Sequence, residues 1–139
     1  MNIPPFSIFS AISELFVTVG VLYVVRRNWT RRPFPLWLFL SVALFEALVN
    51  VTYMATRTAR AASGHDVVSS SMRLFFAAHG MLSLLAYLWF VVLGVIASVN
   101  QQAGKFWFRD HPAHTVAFLV TWALSILSGE TIFVTRYLL

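Results

Sequence analysis

The chain has 139 residues, of which 59% are hydrophobic and only 11% charged, and its mean hydropathy is +0.76. Soluble domains carry about a quarter charged residues, so there is too little polar surface here to face water on all sides, and an aqueous globular domain is excluded. The formal charge of +5 comes from arginines between apolar runs and does not point to nucleic acid. The absence of cysteine excludes disulfides, thiolate metal sites, Fe–S clusters and c-type haem attachment.

The first apolar run covers about residues 6–25 and stops at Arg26-Arg27. No basic region precedes it, so it reads as a retained helix rather than a signal peptide. Ser7, Ser10, Glu14 and Thr18 recur on it at three- or four-residue spacing, one face of a helix. The basic turn "RRNWTRR" follows, with Trp29 and Trp37 placed as interfacial anchors. The second run covers about residues 35–56 and carries a polar stripe of Glu46, Asn50 and Tyr53. Next comes the longest and most polar connection, "RTARAASGHDVVSSS", where His65-Asp66 reads as a solvated loop pair.

The third run, about residues 74–99, places His79, Ser83, Ala86, Gly94 and Ala97 near one side, small enough for close helix approach. "KFWF" then reads as another interfacial anchor. In "RDHPAH", Pro112 suits a first helical turn and Asp110 an N-cap. His111 and His114 are three apart, the spacing of a weak surface metal site or of a helix leaving the headgroups. The fourth run, about residues 115–139, contains Glu130. Each run is near the roughly 20 residues that a helix needs to cross hydrocarbon, and none alternates with the period of a barrel strand. The fold expected is an all-α integral membrane four-helix bundle forming a single domain over residues 1–139.

Basic residues set the expected orientation. Four arginines in "RRNWTRR" plus Lys105 and Arg109 put six on one face, against Arg57, Arg60, Arg73 and Arg136 on the other. The bias places both termini outside.

Three of the five acidic residues, Glu14, Glu46 and Glu130, lie inside apolar runs, as does His79. A charged group facing lipid at mid-bilayer costs about 2.5 kcal/mol or more, so such residues turn inward and mark function. At about 1.5 Å rise per residue, Glu14, Glu46, Glu130 and His79 lie roughly 18, 17, 24 and 30 Å from the inner helix ends. All four therefore fall in the outer half of the bundle, one per span, and are expected to meet in one chamber.

Three chemistries suit that cluster. Interhelical hydrogen bonding alone would give about 0.6–2 kcal/mol per contact. A metal centre is the sharper reading, because three carboxylates and an imidazole suit iron, manganese or zinc, and four-helix bundles hold such ions between facing helices. Its ligands would be Glu14, Glu46, His79 and Glu130, with Asn50 and Tyr53 orienting them and His111 with His114 a weaker second site. Copper stays open, and so does haem held by His79 without a strong second ligand. The third chemistry is proton transfer along the same Glu and His groups.

His79 early in the third span, the polar turn leading to His114, "TWALSILSG" in the fourth span and the basic turn "RRNWTRR" carry a resemblance. On these residues the chain resembles a family of small four-helix bacterial membrane proteins catalogued as domain of unknown function 420. Some members are implicated in assembling haem–copper terminal oxidases. The resemblance therefore implies a respiratory accessory or assembly role in a bacterial inner membrane. It covers the second half of the chain best. The family pattern has a histidine entering the second span, where this chain reads Arg31-Arg32-Pro33, and another after it, where Tyr53 to Arg57 contain none. The three glutamates lie outside the pattern.

The function expected is thus metal or haem binding at an intramembrane Glu/His cluster beside a respiratory oxidase or other membrane complex. Two further classes stay open. One is a structural small subunit with Phe75, Phe76, Trp89 and Phe90 as contact surface; the other is a proton-coupled carrier or membrane enzyme using the same cluster. No residue pattern assigns a catalytic step, and homo-oligomerisation is left open.

Overall fold

A computed structural model describes residues 3–64 and 69–138. His65-Asp66 lies outside the described residues. Five helices follow in order: α1 (Pro5–Trp29), α2 (Leu36–Ala62), α3 (Ser70–Gln102), the short α4 (Trp107–Asp110) and α5 (Pro112–Tyr137). All but α4 are long and apolar enough to cross a membrane. The four spans form an all-α bundle in which α1 packs on α2 and α5, and α3 on α2 and α5, with α1 and α3 touching across the middle.

The helices outrun the apolar stretches at both ends. α2 continues through "TRTARAA", because alanine and arginine are good helix formers and no proline or glycine interrupts before Gly64. α3 begins at Ser70, where the Ser69 hydroxyl accepts the Met72 N–H (3.4 Å) and caps the first turn. Much of the expected polar loop is therefore helix. α1 starts with Pro5 in its first turn, where the missing N–H is no loss. Its last turn carries Arg26 and Arg27 against the negative end of the dipole, and Pro33 and Pro35 prevent continuation.

The two ends of the bundle can be named by what they carry. The terminal end holds the start of α1, the end of α2, the start of α3 and the end of α5. The hairpin end holds the α1–α2 turn and α4, and it contains most of the core. There Phe90 is fully buried, 5.2 Å from the Phe39 ring edge-on, 6.3 Å from Phe118 and 5.8 Å from Trp122. Val17, Val21, Val24 and Val25 of α1 complete the cluster. Two glycines allow close approach. A Cβ at Gly94 would overlap the Phe39 ring, and one at Gly20 would come within 2.8 Å of Val42 Cγ2. Ala86, Gly94 and Ala97 are buried at this interface, as their spacing on α3 implied.

Three readings of the sequence change here. "KFWF" does not anchor as a whole, since Phe108 is fully buried and plugs the hairpin end. Asn28, also fully buried, holds that plug: its Oδ1 accepts the Phe108 N–H (3.0 Å) and its Nδ2 donates to Gln101 Oε1 (3.3 Å). Thr115 closes the same knot by donating to the Phe108 carbonyl (2.6 Å). Asp110 does not cap the last span. Its carboxylate turns back to accept the Phe106 N–H (3.2 Å), because α4 precedes α5 and needs the cap itself, and the N-cap of α5 is His111. Phe90 is core rather than contact surface, Trp89 is half-buried against Phe118, and Phe76 lies under two arginines. Phe75 is exposed, as expected, and so are Phe16 and Trp37, the latter 81% exposed.

Candidate functional site

A cavity of about 90 Å³ occupies the terminal half of the bundle, among α1, α2, α3 and α5. A water needs about 10–15 Å³ by this measure, so several waters or a hydrated ion fit. Glu14, Glu46, His79, Asn50 and Tyr53 all line it, together with Ser7, Ser10 and Ser83 from the polar seams. Three of the four expected ligands thus face one chamber from three helices. Its floor is the core, where the Trp122 indole donates to Thr18 Oγ1 (3.1 Å), and the Thr18 hydroxyl also hydrogen-bonds the Glu14 carbonyl (2.9 Å).

His79 is fixed in orientation and tautomer. Its Nδ1 lies 2.8 Å from Ser128 Oγ, and the Ser128 hydroxyl spends its one proton on the Ser125 carbonyl (2.8 Å). With the Ser128 hydroxyl turned to Ser125, Nδ1 is the donor and Nε2 keeps its lone pair. This is how a metal-ligating histidine is usually held by a neighbour. Gly129 lies where Nε2 and a carboxylate oxygen come together. A Cβ placed there would stand 3.4 Å from His79 Nε2, 3.0 Å from its Cε1 and 3.2 Å from Glu14 Oε2. The missing side chain keeps open the place that touches both donor atoms.

Glu46 is held from its own helix. Asn50 Nδ2 donates to Glu46 Oε1 (2.9 Å) and to the Glu46 carbonyl (2.9 Å), so Asn50 does orient a carboxylate. Tyr53 lines the cavity, but its hydroxyl accepts from Arg57 Nη1 (3.2 Å) rather than serving a glutamate. Glu130 is half-buried next to Gly129, and its Oε1 is buried without a hydrogen-bond partner. It does not line the chamber, although Glu14 lies within electrostatic reach of both Glu46 and Glu130. Among the described residues, no three of His, Asp and Glu stand close enough to form a ready-made metal shell. The chamber offers one His–Glu pair and a second carboxylate on the facing wall.

His111 and His114 sit at the opposite end. His111 stacks on Trp107 (4.6 Å between ring centroids) and its Nδ1 donates to the Trp107 carbonyl (3.0 Å), while His114 packs 5.9 Å from the same indole. The two imidazoles are 6.3 Å apart, exposed, and ordered by the tryptophan. Packing accounts for their placement.

Sequence reasoning missed Ser128, Gly129 and Tyr137 as neighbours of the cluster. "SILSG" did contain a signal, because Ser125, Ser128 and Gly129 share the face of α5 that meets His79. No family model, curated protein or solved structure matches the chain, so the likeness to the four-helix family rests on the residues quoted for it.

Proposed function

We propose that the protein is a membrane-embedded metal-binding protein in which Glu14 and His79 hold a divalent cation above Gly129 and Glu46 closes on it from α2. One observation carries this reading: His79 Nε2 and Glu14 Oε2 flank a spot that only a glycine leaves vacant, with Nδ1 tied back to Ser128. The donor set, one imidazole and carboxylates with room for water, suits manganese, iron or zinc. Crowding three carboxylates in a poorly hydrated bundle is unfavourable unless protons or a cation offset it. Glu130, with one oxygen unpartnered, would supply further negative charge or reach the ion by rotating. Drug-sized ligands take pockets of about 300–1,000 Å³, so about 90 Å³ favours an ion with its waters over a haem macrocycle.

The cellular setting proposed is a multi-pass bacterial inner-membrane protein with both termini outside, so that the chamber lies toward the outer face. A role in assembling or supporting a respiratory oxidase follows from the family resemblance alone. The thin coverage of α2 by the other spans is what supports a partner complex or second copy against its lipid-side face.

Elemental analysis of the detergent-purified protein, after loading with Mn(II), Fe(II) or Zn(II) and dialysis, tests the reading. About one ion per chain is expected in the wild type, and loss of most of it in His79→Ala and Glu14→Gln. Equal metal in wild type and His79→Ala removes the proposed ligand. A proton-transfer reading draws on the same water-sized chamber. It is distinguished by proton flux in liposomes that Glu46→Gln abolishes while the purified protein carries no metal.

A further inference from the structure

The acidic chamber has a neighbour. A second hollow of about 80 Å³ lies at the terminal end, walled by the start of α1 and the ends of α2 and α5. It shares Ser7, Tyr53 and Tyr137 with the chamber, so these three residues form the partition between the two spaces. On its outer side Thr56 and Arg60 are exposed, and Arg60 ends the apolar span of α2, where arginine side chains reach headgroups and water.

The partition is made of side chains. The Ser7 hydroxyl donates to Tyr137 Oη (3.3 Å), joining α1 to α5, and Phe6 stacks on Tyr53 with ring centroids 6.3 Å apart, joining α1 to α2. Two of the helices meet there by their ends. No side chain caps the first turn of α1, and Tyr137 is the last residue of α5. Helix ends open at a lower free energy than the interior of a packed bundle. One neutral hydrogen bond between two such ends is weak enough to break often and strong enough to favour the closed form.

The other direction is sealed. Thr18, whose hydroxyl takes the Trp122 N–H at the chamber floor, and Asn28 at the hairpin end are ten residues apart on α1, about 15 Å of helix. Between them Val21, Val24, Phe90 and Phe118 are fully buried in one cluster. Neither an ion nor a file of waters crosses a close-packed apolar layer of that depth.

We propose that the chamber opens to the terminal side alone, through this hollow, and that the Ser7–Tyr137 hydrogen bond is the latch on the passage. The inference rests on the chamber and not on its occupant. A metal ion would be loaded and released at one membrane face, and protons would be exchanged there rather than carried across.

The chain has no cysteine, so a single introduced thiol reports on its own position. Ser10→Cys places one in the chamber wall. Ag(I) is added to one face of sealed vesicles holding the full chain, and the thiols left are counted with a fluorescent maleimide after denaturation. Ala62→Cys and Lys105→Cys, exposed at the terminal and hairpin ends, establish which face is which. Silver from the terminal side is expected to consume the Ser10→Cys thiol, and silver from the hairpin side to leave it intact. Adding Tyr137→Phe should raise the terminal-side rate about fivefold, the population that one neutral hydrogen bond holds back. Ser7→Ala removes the donor instead of the acceptor and should give the same rise if Tyr137→Phe does not fold. Reaction from the hairpin side while the Ala62→Cys thiol stays intact overturns the one-sided passage. So does no reaction from the terminal side where Ala62→Cys reacts. Unchanged rates in both latch variants overturn the latch. Elemental analysis of the same preparations decides separately whether the chamber holds a metal.

Discussion

At the hairpin end, Val21, Val24, Phe90, Phe108 and Phe118 fill the space between the spans, and the buried amide side chain of Asn28 has both of its polar atoms bonded. At the terminal end, the same four spans enclose a chamber lined by two carboxylates and an imidazole, with Glu130 Oε1 buried and unpartnered beside it. The difference is one of purpose. Lipid is as apolar as leucine, so helix association in a bilayer draws on close packing and satisfied hydrogen bonds. The hairpin end supplies both. The terminal end gives up packing for a space in which ionisable groups face one another, the layout that the proposed metal site needs above a rigid base.

Substitutions should separate the two ends. The largest effect on stability is expected from Phe90→Ala, which empties the centre of the aromatic cluster and should cost about 3–5 kcal/mol. Reversible unfolding in mixed micelles would measure it, and metal content per refolded chain should stay near the wild-type value. Asn28→Ala comes next. It strands the buried Phe108 N–H and should cost about 1–3 kcal/mol in the same assay, again without moving metal affinity.

Ser128→Ala reverses the pattern. Unfolding should change little, whereas metal affinity should drop about 10–100-fold because His79 loses the acceptor that sets its tautomer. A Ser128→Ala protein that unfolds early and binds metal normally would place this serine with the packing residues. The smallest effect is expected from Phe16→Ala. The ring is 74% exposed on the lipid side, and stability should stay within about 0.5 kcal/mol.

The acidic chamber was more legible in the sequence than the core that supports it. Glu14, Glu46 and His79 stand out because an ionisable group in an apolar run is expensive, and helical rise alone puts them at comparable depth. Phe90 and Phe108 were misread for the converse reason. When the surroundings are oil, hydropathy does not tell a residue packed on protein from one packed on lipid. The second span was ended too early, at about Thr56, and the third begun too late, at Leu74, because hydropathy marks where the bilayer core stops and not where backbone hydrogen bonding stops. Counting Arg57 as a loop residue hid its place over Phe76 and against Tyr53. Ser128 and Gly129 stood in the sequence only as part of "TWALSILSG", and only the register of α3 against α5 puts them on His79. Glu130 was grouped with the chamber by depth, but its neighbour Gly129 faces the chamber in its place.

The most direct measurement is electron spin-echo spectroscopy of the Mn(II)-loaded protein, which counts imidazole nitrogens bound to the ion. One directly coordinated histidine nitrogen is predicted, lost in His79→Ala and kept in a His111→Ala/His114→Ala double variant. Two coordinated nitrogens that vanish in the double variant, or none at all, would contradict a centre built on His79 and Glu14.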